Sequence, residues 1–115
     1  EQLVLSIKED ILNGVLTAGD QVPSVREMAK HLLMNPNTVS KAYKVLENEQ
    51  VLVTIKGKGT FVKVTEDLPR DEIRILQVKE RLKELMIEAR HLQISIRELT
   101  DWMNGFEQEL GGDPQ

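Results

Sequence analysis

At Val51 the spacing of apolar residues switches from a helical to an extended period, and that switch limits the architectures open to the chain. Downstream of it, Val51-Leu52-Val53-Thr54-Ile55 and Thr60-Phe61-Val62-Lys63-Val64 flank the turn Lys56-Gly57-Lys58-Gly59, the pattern of a β-hairpin. Upstream, three helices are expected. Leu3, Ile7, Ile11 and Leu12 share one face of a first helix over residues 1–13, and Gly14 follows where a left-handed C-cap stops a helix. Gly19-Asp20 and Pro23 then make a short loop. Ser24-Val25-Arg26-Glu27 is a capping box that opens a second helix of about ten residues, with Val25, Met28, Ala29 and Leu32 on its apolar face. Asn35-Pro36 reads as an N-cap followed by proline at the first helical position. Val39, Ala42, Tyr43 and Leu46 form the buried stripe of this third helix, which runs to Gln50.

The acidic stretch from Thr65 to Pro69 separates this half from a purely helical one, so the domains are expected at 1–65 and 66–115. Ile73, Leu76, Leu82, Leu85, Met86, Ala89 and Leu92 mark one broad face of a long helix. Ser95-Ile96-Arg97-Glu98 is a second capping box, with Ile94 and Leu99 placed as a hydrophobic staple. Ile96, Leu99, Met103, Phe106 and Leu110 then alternate spacings of three and four, the seam of a helix that packs against another helix, and Gly111-Gly112-Asp113-Pro114 ends it. Two amphipathic helices cannot build a deep core alone, so burying this seam calls for a partner subunit and the tail is expected to dimerise. Met86, Trp102, Met103 and Phe106 could instead line a small apolar ligand pocket, although such residue types at helical spacing are more often core. The expected fold is mainly α with a small β-hairpin: a winged helix-turn-helix followed by a two-helix C-terminal dimerisation module.

Composition narrows the function. The 115 residues suffice for one compact domain and are too few for a multidomain enzyme. Without cysteine there is no disulfide framework, no thiolate nucleophile and no zinc site of the cysteine type. His31 and His91 are sixty positions apart with no metal-ligand spacing, and the paired carboxylates Glu9-Asp10, Glu66-Asp67 and Asp71-Glu72 lie at expected helix ends or in the linker, so neither catalysis nor a metal or cofactor site is expected. His91 suits the negative end of the fourth helix. No apolar run approaches the roughly 20 residues of a membrane helix and no secretory signal pattern is present, so a soluble cytoplasmic protein is expected. The start at Glu1 without methionine suggests native residues upstream.

A net charge of −4 speaks at first against a nucleic-acid partner, but the average hides an asymmetry. Residues 1–64 carry a net +1 and residues 65–115 a net −5, and within 26–63 seven basic residues face three acidic ones. In a helix-helix-helix-hairpin order the third helix presents its first turns to the DNA major groove and the hairpin reaches an adjacent groove or phosphates. With Val39, Ala42, Tyr43 and Leu46 turned inward, Asn37, Thr38, Lys41 and Lys44 face outward: amide and hydroxyl groups that suit base edges, and lysines that suit phosphates. Ser24 and Asn35 head the two helices at this face, where first-turn amides favour phosphate. Arg26 lies where a guanidinium can fork onto guanine or clamp a phosphate. The tip Lys56-Gly57-Lys58 brings two cations and an unobstructed backbone. Taken singly, each of these has an ordinary structural explanation; together on one face they point to double-stranded DNA. The rival reading, a winged helix that binds proteins and not DNA, predicts large apolar residues on the exposed face of the third helix, and there are none.

The blocks Gly14-Val15-Leu16, Gly19-Asp20, Pro23-Ser24-Val25-Arg26-Glu27, Asn35-Pro36-Asn37-Thr38-Val39, Ala42-Tyr43, Leu46-Glu47 and Gly57-Lys58-Gly59-Thr60-Phe61-Val62, in this order over residues 3–64, resemble the GntR family of bacterial transcriptional regulators. The short helical tail resembles the YtrA subfamily, whose members carry two C-terminal helices in place of a large effector domain. The resemblance implies a sequence-specific regulator, usually a repressor, that binds an inverted-repeat operator as a homodimer through a recognition helix at 35–50 and a wing at 52–64, often near genes for membrane ABC transporters. By motif it implies DNA contacts at Arg26, Asn37, Thr38, Lys56, Gly57 and Lys58. It leaves a small-molecule effector open. Leu33 and Gln50 stand where the family usually has turn glycines, and a positive φ at such residues costs on the order of 1 kcal/mol relative to glycine.

Overall fold

The computed structural model describes residues 2–64 and 68–111 of the chain; the expected linker at 65–67 and the tail end at 112–115 lie outside the described residues. The elements are α1 (Gln2–Leu12), β1 (Gln21–Val22), α2 (Val25–Leu32), α3 (Pro36–Asn48), β2 (Leu52–Ile55), β3 (Gly59–Val62), α4 (Glu72–His91) and α5 (Ile96–Glu109). The chain divides into two compact units, Glu1–Glu66 and Asp67–Gln115.

In the first unit α3 is the central element, packed against α1, α2 and β2. Its stripe Val39, Ala42, Tyr43 and Leu46 is buried as the spacing predicts, and Val4 and Ile7 of α1, Val22, Ala29 of α2, Leu52 and Val62 close the core around it. Leu46 and Val39 are fully buried, so truncating Leu46 to alanine costs about 2–5 kcal/mol. Both expected helix starts are built as read. The Ser24 hydroxyl accepts the Glu27 N–H while the Glu27 carboxylate accepts the Ser24 N–H, and the Asn35 side chain accepts the Asn37 N–H with Pro36 at the first helical position.

The sheet is larger than the sequence suggests. Residues 21–22, expected as loop, form a third strand, and the order is β1-β3-β2 with both pairs antiparallel. Gln21 faces Phe61 and Val22 faces Thr60 across β1–β3, while Leu52 faces Val62 and Ile55 faces Gly59 across β2–β3. Gly19 N–H to Val62 C=O and Val62 N–H to Asp20 C=O, each 2.8 Å, extend the β1–β3 pairing. A two-residue strand between Asp20 and Pro23 has no period of its own; it is extended because the edge of β3 supplies its hydrogen-bond partners.

Leu33 (φ 54°) and Gln50 (φ 66°) do adopt left-handed backbones, and Gln93 (φ 62°) joins them. In each case the next residue's N–H reaches back to the last full turn: Met34 to Ala29, Val51 to Leu46, Ile94 to Ala89. These are Schellman closures made without glycine.

The second unit is two helices with almost no core. Its capping box at Ser95 and Glu98 forms as expected, but α4 and α5 diverge, no pair of Cα atoms between them lying within 8 Å. Ala89 is the only buried residue described in this unit. Ile96, Met103 and Phe106 are each more than half exposed, while Leu99 and Leu110 are half-buried. Within this unit the seam of α5 is therefore left largely uncovered by α4.

Candidate nucleic-acid interface

All ten residues expected to contact DNA are exposed, and all belong to the first unit. On α3, Asn37, Lys41 and Lys44 follow one another at spacings of four and three, with Thr38 beside them, on the side away from the buried stripe. Asn35 is engaged by its side-chain oxygen in capping, which leaves its amide N–H groups as the outward donors.

Arg26 is the second residue of α2, and the start of that helix is held from two directions. The capping box is one, and it keeps the Glu27 carboxyl below its ordinary range, chiefly through the Ser24 backbone N–H and then the Ser24 hydroxyl. The other comes from α3: the buried Tyr43 hydroxyl donates to the Pro23 carbonyl at 2.7 Å. Burial pushes this phenol up to about 12, with a further contribution from the Glu27 charge. One side chain thus ties the element carrying Asn37 and Thr38 to the point from which Arg26 projects.

The wing tip is a turn closed by Lys58 N–H to Ile55 C=O, 2.9 Å, with Gly57 at φ +80° in the third turn position, where glycine is favoured. Gly59 has φ +124°, and a Cβ there would lie 2.5 Å from Gln21 Nε2. Just below the tip, Thr54 and Thr60 face each other across the strands with hydroxyls 3.0 Å apart, and Thr54 donates to Glu47 of α3 at 2.6 Å. Lys63 also bonds to Gln50, and Lys8 of α1 pairs with Glu49 at 2.5 Å. None of these supports was anticipated. The Thr54–Thr60 rung was within reach, since the hairpin turn sets the register; the bond from Tyr43 to Pro23 and one from the Gln21 amide to the Lys58 carbonyl join residues 20 and 37 positions apart and leave no local signal.

Among the described residues no cluster of His, Asp or Glu is arranged to hold a metal ion and no helix is long and apolar enough to cross a membrane. The polar side of α3 and the exposed cations of α2 and the wing thus belong to one small unit. The family model for bacterial regulatory proteins of the gntR family matches residues 1–62.

The chain belongs to the GntR family.

The similarity runs well past the winged domain of this GntR protein. The HTH-type transcriptional repressor YtrA of Bacillus subtilis (strain 168) is 38% identical over 112 residues, which is 97% of this chain and 86% of the relative. A solved structure described as a transcriptional antiterminator from Listeria monocytogenes EGD-e superimposes with a TM-score of 0.92 at 37% identity, covering 97% of this chain and 84% of the other. YtrA from Sulfolobus acidocaldarius, a GntR-family transcription factor, does so with a TM-score of 0.52 at 32% identity over 94% and 86% of the two chains. The GntR chain is accordingly a DNA-binding transcriptional regulator with a winged helix-turn-helix and a YtrA-type helical tail, and its relatives are regulators, not enzymes.

Proposed function

We propose that this GntR regulator is a cytoplasmic repressor that binds an inverted-repeat operator as a homodimer. In this reading the first turns of α3 enter the major groove, where Asn37 and Thr38 address base edges and Lys41 and Lys44 take phosphates. Arg26 and Ser24, with Asn35, address the groove edge, and Lys56, Gly57 and Lys58 reach the flanking backbone. The observation that carries it is the exposed polar side of α3, opposite its buried stripe Val39, Ala42, Tyr43 and Leu46, with the exposed cations Arg26, Lys56 and Lys58 in the same compact unit.

Dimerisation through the tail is supported by what that tail lacks. An apolar cleft of about 610 Å³ opens between the diverging α4 and α5, lined by Leu85, Met86, Leu99, Trp102, Met103 and Phe106 among others. Glu88 and Thr100 are the polar residues on its lining, so its chemistry suits the apolar seam of a second copy, Ile96, Leu99, Met103, Phe106 and Leu110. Room left by the partner's helices is where a small apolar effector would bind.

The test is fluorescence anisotropy on a duplex selected from a random pool, with wild type and Arg26→Ala at two salt concentrations. Selective binding that weakens with salt and falls roughly tenfold or more in the variant is expected. Equal binding to any duplex, or none lost with Arg26, defeats the operator reading. Light scattering of Leu99→Asp checks the dimer, which this charge should dissociate.

A further inference from the structure

The wing tip holds Gly57 and is followed by Gly59, both at positive φ, a backbone region that glycine adopts freely. Two side chains from outside the hairpin bond to it. From β1, the Gln21 amide donates Nε2–H to the Lys58 carbonyl at 3.1 Å and lies over Gly59, in space that a Cβ would invade. From α3, the Glu47 carboxylate accepts the Thr54 hydroxyl. That hydroxyl has one proton and gives it to the carboxylate, so Thr60 is the donor to Thr54, and the rung below the tip is tied to α3 through Thr60, Thr54 and Glu47 in series.

We propose that Gln21 is a positioning residue for DNA binding, its amide holding the Lys58 carbonyl so that Lys56 and Lys58 are presented to phosphates in fixed relation to α3. Gln21 is neutral and exposed, and its neighbour Val22 anchors β1 in the core, so the clamp adds no charge of its own at the tip and rests on a rigid base. The proposal rests on the reading that the two wing lysines touch DNA.

The experiment uses the full chain and a duplex selected by the wild type, comparing Gln21→Met, which keeps bulk and removes the donor, the pair Lys56→Ala/Lys58→Ala, and the triple variant. Each phosphate contact is worth roughly fivefold in affinity near 0.15 M salt and about 0.9 in the salt slope. Gln21→Met is expected to weaken binding about three- to tenfold and flatten the salt slope, with an unchanged melting midpoint, and the triple variant is expected to bind no more weakly than the lysine pair. A Gln21→Met protein that binds like wild type overturns the proposal while leaving the wing reading in place. A loss that persists undiminished in the lysine-free background also overturns it, since the amide then acts elsewhere than through the tip. If the lysine pair itself binds like wild type, the wing reading fails and takes the Gln21 role with it.

Discussion

Leu33 is 93% exposed and held at φ 54°, so its side chain contributes little packing while its backbone sits where L-residues are strained. Leu33→Gly is therefore expected to stabilise the protein by about 0.5–1 kcal/mol, read as a higher urea midpoint. Gln50→Gly should yield less, because the strain relieved there is offset by loss of the bond to Lys63. Tyr43 makes the opposite case, a buried group whose polar end has one partner. Removing its hydroxyl leaves the Pro23 carbonyl short of a donor, and Tyr43→Phe should cost about 1–2 kcal/mol. A phenol at about 12 in the folded chain and about 10 unfolded binds its proton more tightly when folded. Its contribution is thus fully present below pH 10 and declines between pH 10 and 12. Alkaline unfolding followed in both proteins should show that decline in wild type and not in Tyr43→Phe.

At the level of elements, the starts of α2, α3 and α5 were legible because a cap is a local device: a side chain satisfies amides two or three residues away. Ser24→Ala should remove about 1 kcal/mol of stability and return the Glu27 carboxyl towards its ordinary value of 4.5, a shift that an NMR titration resolves. Since the folded value is the lower one, what Glu27 contributes is present above the ordinary carboxylate range and is lost as pH falls through its lowered value. β1 escaped for the converse reason. Its two residues carry no alternation long enough to read, and only the free edge of β3 makes them a strand. The same strand brings Gln21 to the wing, so the missed element and the missed support are one omission.

At the scale of the molecule the charge asymmetry becomes intelligible. The basic residues of 26–63 sit in the winged unit, and the acidic excess of residues 65–115 falls largely in the other, which the proposed DNA contacts do not involve. Lys41→Ala should reduce the slope of log affinity against log salt by about 0.9 without changing sequence preference. The tail has Ala89 as its only described buried residue, so packing inside this unit gives its helices little support. On the proposed dimer, a Leu99→Asp/Met103→Asp variant is expected to be monomeric and to lose on the order of a hundredfold or more in affinity for a two-half-site duplex, while a single half-site is bound as before. Sedimentation and anisotropy on the two duplexes separate these effects.

What the sequence alone determined are the features set over a few residues: where helices begin and stop, the change of period at Val51, and which face of α3 turns inward, whereas the positive φ at Leu33 and Gln50 followed from the resemblance to a family with glycines there. Capping, helical periodicity and turn chemistry act at separations of two to seven residues, and the order of letters contains them. Tertiary structure alone decided that residues 21–22 are a strand, that Tyr43 holds Pro23, that Gln21 and Glu47 steady the wing, and that α4 and α5 stand apart. Each depends on groups far apart in the chain being brought to hydrogen-bonding distance, or on apolar faces left uncovered, and such meetings exist only once the core around α3 has closed.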